Sequence, residues 1–145
     1  MQPSPLRLER HFFTKVYLDT HPDGVPEAVH NLNCGVEIGR HSEDTNRFQV
    51  TLKLIFSPQP SSKVYYSGEV HAVGLFNVDT AMWPQDRALE LVETNGPALL
   101  YGAIRELLLN LTSRGPWPLL LLQSVTFVKQ PSETATPKAL EEAKA

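Results

Sequence analysis

The sequence contains a single cysteine, Cys34, among its 145 residues. An internal disulfide is therefore impossible, and one cysteine cannot build the clusters that hold structural zinc. Long apolar runs are also absent, since runs such as residues 118–122 are far shorter than the ~18 residues of a membrane span. Residues 1–10 lack the apolar centre of a secretory signal peptide. These absences predict a protein of the reducing cytoplasm that does not insert into a membrane.

Motifs for catalysis or cofactor binding are missing as well. No His-Glu-x-x-His pattern and no i, i+4 pair occurs among the histidines, which are His11, His21, His30, His41 and His71. No serine or cysteine stands beside a base that could activate it as a nucleophile, and no glycine-rich phosphate loop is present. Glu106 beside Arg105 on the predicted helix favours a structural ion pair or a subunit contact over a catalytic carboxylate. The sequence therefore predicts no enzyme, no catalytic residue, no metal and no cofactor.

A basic stripe with interleaved aromatic residues, which is typical of nucleic-acid binding, is not found. The formal net charge is −3, and residues 16–46 hold six acidic residues against one basic residue, Arg40, for a net of −5. Such an acidic stretch favours a basic protein partner or basic client segments. A solvated acidic surface without any partner explains the pattern equally well.

Four segments carry strand patterns, at residues 11–19, 34–40, 47–56 and 63–74. The third is the clearest, because its apolar residues recur at every second position, which indicates one buried face; they are Phe48, Val50, Leu52, Leu54 and Phe56. Short polar links at 41–46 and 57–62 join the last three strands as antiparallel neighbours. The longer link at 20–33 is predicted to be a crossover, so the four strands form a Greek-key sheet.

Helical patterns follow the strands. Residues 82–92 are a weak candidate, and residues 97–113 are a strong one, with Pro97 at the first helical position. The apolar stripe of the strong candidate has 3.6-residue spacing and consists of Leu99, Leu100, Ala103, Ile104, Leu107, Leu108 and Leu111. The predicted fold is α+β, with a four-stranded antiparallel sheet and one long helix, preceded by the weaker helical segment, packed on one face.

The remainder of the chain is an extended apolar segment at 117–128 and a polar tail at 129–145, which is predicted to be mostly disordered. Residues 1–128 are predicted to form a single domain. More apolar side chains are present than one small core can bury, and the excess includes Val25, Val29, Leu32, Trp117, Leu119 and Leu121. Either subunit contacts cover these residues, or they line a groove for apolar peptide. Both interpretations stay open.

The helix and the segment after it carry a family resemblance. The matching residues are Gly96-Pro97-Ala98-Leu99-Leu100-Tyr101, Arg105-Glu106, the run from Leu111 through Ser113-Arg114-Gly115 to Trp117-Pro118, and a Leu-x-Leu…Val-x-Phe ending at Leu119, Leu121, Val125 and Phe127. This block resembles the signature of the SecB export chaperones. Residues 10–15 with 18–19 are similar to the first strand of that family, and residues 68–70 with 74–76 to its fourth. The resemblance covers residues 8–128.

The resemblance implies a homotetramer, a dimer of dimers, with helix residues at a subunit interface: Leu100, Ile104, Leu107, Leu108 and Leu111. It implies a client groove, whose wall we assign to Val25, Val29, Leu32, Trp117, Leu119 and Leu121. It also implies a docking face for the SecA motor that includes Asp19 and Glu69, although Val16 stands where the family usually has an acid. We expect the family's last helix to be shortened or missing, because Lys129-Gln130-Pro131 interrupts and the tail is short and polar.

The function implied is that of an ATP-independent chaperone, a holdase. It binds apolar segments of unfolded preproteins and keeps them competent for SecA-dependent export. The alternative is a dedicated SecB-like adaptor for one client, such as the antitoxin of a toxin–antitoxin system. A small enzyme with a pocket over the sheet, and an oligomer that binds nothing, are two further alternatives. Nucleic acid and direct membrane insertion are not expected.

Overall fold

A computed structural model describes residues 1–127. In chain order the elements are strands β1 (Leu6–Thr20), β2 (His30–Arg40), β3 (Arg47–Pro58) and β4 (Tyr66–Val78), a 3₁₀ turn (Gln85–Arg87) and helix α1 (Ala88–Thr112). The strands pair antiparallel in the order β1-β4-β3-β2. Strand β1 thus returns beside β4, which is the Greek-key order, and the predicted α+β fold is confirmed.

The core lies between α1 and one face of the sheet. The five alternating apolar residues of β3 are all buried, as predicted. Helix residues Leu100, Ile104 and Leu108 are fully buried in the same cluster. The absence of a side chain at Gly74 lets the helix approach closely, because a Cβ there would lie 2.9 Å from Leu100 Cδ2. Helix α1 covers one face of the sheet, and we call the opposite face the outer face.

Strand β1 begins at Leu6 and not at residue 11, and β4 ends at Val78 and not at residue 74. The register of the β1–β4 pair shifts between Leu8 and Arg10 and again between Phe13 and Lys15. Each bulge adds one residue and so resets which side chains face the core. Simple alternation is therefore interrupted twice along β1, so period-2 spacing does not mark its first residues.

The prediction that the long helix begins at Pro97 is wrong. Helix α1 begins at Ala88, and Pro97 lies inside it and is buried. The weak candidate at 82–92 is in fact the 3₁₀ turn together with the first residues of α1. Tertiary packing explains the difference, because Ala88, Leu91 and Val92 are buried in the core. This burial holds the helix together through a proline that lacks the N–H of a regular helical turn.

Beyond α1 the chain has no regular secondary structure up to residue 127. It turns back along the helix, since the Tyr101 ring contacts the Phe127 ring edge to face at a centroid distance of 6.1 Å. Residues 120 and 122 are buried leucines that belong to the core. The predicted tail at 129–145, together with residue 128, lies outside the described residues.

Candidate polypeptide-binding surface

The crossover between β1 and β2 is held against the loop that precedes β4. The Val25 N–H donates to the carbonyl of Lys63 at 2.8 Å. Gly24 packs so closely on Tyr65 that a Cβ at this position would lie 2.7 Å from Tyr65 Cα. The side chains of Val25 and Val29 remain 44% and 51% exposed. The crossover backbone is therefore fixed in place while its two valines project into solvent.

An aromatic pair connects the crossover to the segment after the helix. The rings of Tyr65 and Trp117 stack at a centroid distance of 4.8 Å with 18° between their planes. The neighbouring Tyr66 holds the backbone of the same tryptophan: the Trp117 N–H donates to the Tyr66 hydroxyl at 3.1 Å, and that hydroxyl lies 3.3 Å from the Trp117 carbonyl oxygen. Tyr65 thus contacts both the crossover, at Gly24, and the segment after the helix, at Trp117.

Residues 119–122, four consecutive leucines that we call the leucine strip, alternate in burial. Leu119 and Leu121 are 59% and 62% exposed, whereas Leu120 and Leu122 are 9% and 2% exposed. The Leu120 N–H donates to Thr112 Oγ1 at 3.0 Å. Each exposed leucine offers apolar surface that nothing in the described part of the protomer covers, which is the property that marks an interaction surface.

Five of the six predicted groove residues lie on the crossover or on the segment after the helix, which are the two segments that Tyr65 contacts. We call these five residues, together with Tyr65, the apolar surface: Val25, Val29, Tyr65, Trp117, Leu119 and Leu121. The sixth, Leu32, pairs with Phe56 on the helix side of the sheet and is half-buried against the core. Tyr65 was not assigned to the groove from the sequence, because it falls within the fourth predicted strand at 63–74.

Asp19 and Glu69, the predicted partner contacts, both lie on the outer face. Glu69 pairs in register with Tyr17, and Asp19 with Ser67. Glu69 is not a free carboxylate, because it forms an ion pair with Lys15. The hydrogen bond from Lys15 holds the pKa of Glu69 below its ordinary value, with smaller electrostatic contributions from that lysine, His71 and Lys53.

The position of Val16 differs from the one that the resemblance implied. Val16 pairs with Val70, which is fully buried in the core, and therefore lies on the helix side of the sheet. The bulge between Phe13 and Lys15 adds one residue to β1 and thereby places the Val16 side chain on this side of the sheet. The departure from the family pattern at Val16 thus does not fall on the outer face that carries Glu69.

The predicted interface stripe on α1 requires a correction. Leu100, Ile104 and Leu108 are fully buried within the protomer and cannot contact another subunit directly. Leu107 and Leu111 are half-buried. The helix faces solvent elsewhere, at Leu99, which is 47% exposed, and at Gly102, where an added Cβ would meet no atom within 4 Å.

Groups suited to chemistry are sparse in the described part of the chain. Residues 1–127 contain no cluster of three or more His, Cys, Asp or Glu side chains that could hold a metal ion. Burial raises the pKa of the Cys34 thiol, so its thiolate is less available as a nucleophile. Burial also raises the pKa of Tyr101, more than its neighbour Cys34 does. Within the same residues, no helix is long and apolar enough to cross a membrane.

The fold, a Greek-key sheet with one long helix, also occurs in a solved structure. The structure of the Mycobacterium tuberculosis Rv1957 SecB-like chaperone, in complex with a ChAD peptide from the Rv1956 HigA1 antitoxin, matches with a TM-score of 0.64. The match covers 83% of this chain and 91% of that one, and at 17% sequence identity it concerns the fold.

Sequence comparison defines the family. The profile described as preprotein translocase subunit SecB matches residues 15–132, and the chain belongs to the SecB family. The protein-export protein SecB of Hyphomonas neptunium is 30% identical over 100 residues, which are 68% of this chain and 59% of that protein. That of Psychrobacter arcticus is 26% identical over 124 residues, 84% of this chain and 82% of the relative. The resemblance inferred from the helix block is confirmed.

Proposed function

We propose that this protein is an ATP-independent cytoplasmic holdase that binds apolar segments of unfolded preproteins and keeps them competent for SecA-dependent export. It performs no catalysis in this role. The observation that carries the proposal is the apolar surface, in a chain of the SecB family. Leu119 and Leu121 expose their side chains in the segment that begins at Trp117, and the Trp117 ring stacks on Tyr65. The names of the matched export proteins support the same activity.

Holding a client requires many weak contacts. Burying one client side chain on the apolar surface contributes roughly 1.5–3 kcal/mol. We propose that the chain assembles as a homotetramer, a dimer of dimers, so that one unfolded polypeptide meets several such surfaces and gains avidity through effective concentration. A folded client hides its apolar segments, so the protein binds the unfolded state selectively and shifts the equilibrium towards it.

The second candidate function is that of a dedicated adaptor for a single client, such as an antitoxin. It is favoured by the ion pair between Lys15 and Glu69, because this pair neutralises a carboxylate on the face proposed to dock SecA. The structure of the Mycobacterium tuberculosis chaperone of similar fold is of a complex with an antitoxin peptide. An adaptor of this kind binds one partner tightly and ignores generic unfolded chains.

The test uses a permanently unfolded reporter protein, with complex formation followed by light scattering and mass determination. The double variant Trp117→Ala with Leu121→Ala is expected to raise the dissociation constant at least about tenfold, because it removes two anchoring side chains. The matched control is Ile55→Ala. Ile55 is 40% exposed but pairs with Glu69 on the outer face, so its removal should leave affinity unchanged.

Each result separates the alternatives. Equal binding by the wild type and the double variant shows that clients do not use the apolar surface. A tetramer that ignores the reporter but binds one natural partner favours the adaptor. A monomer that binds nothing would show that the chain shares the fold of the family but neither the proposed assembly nor the proposed function.

A further inference from the structure

The leucine strip cannot specify its own orientation. In an extended segment, turning the backbone over by one residue exchanges the buried and exposed sets of side chains. Here the two sets are chemically identical, because all four residues from 119 to 122 are leucine. Burying Leu119 and Leu121 in place of Leu120 and Leu122 therefore changes little in apolar transfer free energy. Some other interaction must decide which pair faces outward.

Thr112 provides that interaction. It is the one polar residue that is fully buried among residues 1–127, with 1% of its surface exposed. Its hydroxyl donates to the carbonyl of Leu108 at 2.6 Å, and its oxygen accepts the Leu120 N–H at 3.0 Å. The first bond fixes the position of the oxygen at the end of α1. The second bond turns the backbone of Leu120 inward.

Two other hydrogen bonds hold the segment without selecting a face. Tyr66 fixes the backbone of Trp117, but Pro118 follows, and torsion changes there can turn over the residues beyond it. The Tyr101 hydroxyl donates to the carbonyl of Gln123 at 2.5 Å. Gln123 is exposed, so water can donate to its carbonyl in place of the Tyr101 hydroxyl. The Leu120 N–H is buried, and its loss of a partner has no such compensation.

We propose that Thr112 is a positioning residue that fixes which leucines of the strip face outward, and so determines which apolar side chains a client meets. The orientation of the leucine strip concerns this protomer alone. Its effect on client binding rests on the proposed holdase function.

The orientation is measured by thiol labelling. In a Cys34→Ala background, Leu119→Cys and Leu120→Cys are labelled separately with a maleimide. The wild-type orientation predicts fast labelling at 119 and slow labelling at 120. Thr112→Val removes the acceptor at nearly constant volume, and the ratio of the two rates is expected to fall at least about tenfold. Thr112→Ser keeps the hydroxyl and is expected to restore the ratio. Thr94→Val is the matched control, because Thr94 donates to the Glu90 carbonyl within α1.

A second measurement avoids cysteines in the core. Amide hydrogen exchange in an otherwise wild-type chain should show that Thr112→Val lowers the protection of the Leu120 N–H at least about tenfold. The protection of the Ile104 amide in α1 should stay unchanged. An unaltered labelling ratio, or an equal rise at both positions, would overturn the proposal. An altered ratio with unchanged client affinity would leave the orientation role of Thr112 standing and reject the proposed client surface.

Discussion

At the scale of single residues, the outer face shows how one lysine changes the character of a surface. The family resemblance implies Asp19 and Glu69 as an acidic docking pair. The structure places Lys15 on Glu69 and brings His71 within 3.4 Å of the same carboxylate. A basic partner therefore meets a carboxylate that already has a cation beside it. This arrangement is invisible in the sequence, because Lys15 reaches the outer face through the bulge after Phe13.

The ion pair predicts a measurable pH dependence. The pKa of Glu69 is lowered from 4.5, with Lys15 as the largest cause, so the stability it contributes is present above pH 4.5 and is lost as the pH falls through the folded-state pKa. Lys15→Met is expected to raise the pKa of Glu69 towards 4.5, as followed by NMR titration of its side-chain carboxyl carbon. Lys63→Met is the control, since Lys63 pairs with Asp23 instead. A Glu69 pKa that does not move on loss of Lys15 would contradict this reading.

At the scale of elements, the local sequence pattern predicted correctly those helices and strands whose bounds tertiary contacts do not change. The alternation in β3 runs unbroken from Phe48 to Phe56, and all five residues are buried as expected. Strand β1 was predicted too short because its bulges reset the pattern. The start of α1 was predicted at Pro97 because proline is common at the first helical position. In the structure α1 begins nine residues earlier, at Ala88, and its first turns are stabilised by burial.

The apolar surface was foreseen only in part, for the same reason. Leu119 and Leu121 were assigned to it, and the structure exposes both. Tyr65 joins the apolar surface through a stacking contact with Trp117, which lies 52 residues later in the chain. The orientation of the leucine strip depends on a hydrogen bond between the Leu120 N–H and Thr112, eight residues earlier in the chain. Contacts of this kind require the folded chain, and no periodicity in the sequence indicates them.

The crossover gives a prediction for an element as a whole. Gly24→Ala places a Cβ against the Tyr65 backbone, so the crossover must move, and the free energy of unfolding is expected to fall by about 1–3 kcal/mol. Gly35→Ala is the matched control in β2, where the new Cβ would lie 4.0 Å from Lys53 Cβ, an ordinary contact. Urea denaturation followed by tryptophan fluorescence measures both variants. Equal stability of the two would show that the crossover is not packed as described.

At the scale of the whole molecule, the protomer leaves one part of its helix unexplained. Gly102 lies in the middle of α1 with open space around it. Glycine at an exposed helical position is less favourable than alanine by about 1 kcal/mol. Its use here fits a close approach of another helix, with Leu99, half-exposed on the same side, as a neighbouring contact. We therefore move the proposed subunit contact of α1 from the buried leucines to this exposed side.

Substitutions at Gly102 separate folding from assembly. A Cβ at Gly102 would meet no atom within 4 Å in the described residues, so Gly102→Ala should fold and add about 1 kcal/mol to helix stability. Gly102→Leu extends from the same open position and should also fold. The leucine variant is expected to lose the proposed tetramer, because its side chain holds two helices apart. Circular dichroism checks the fold, and light scattering with mass determination checks the assembly. If the leucine variant assembles like the wild type, then the subunits meet through a surface that does not include Gly102.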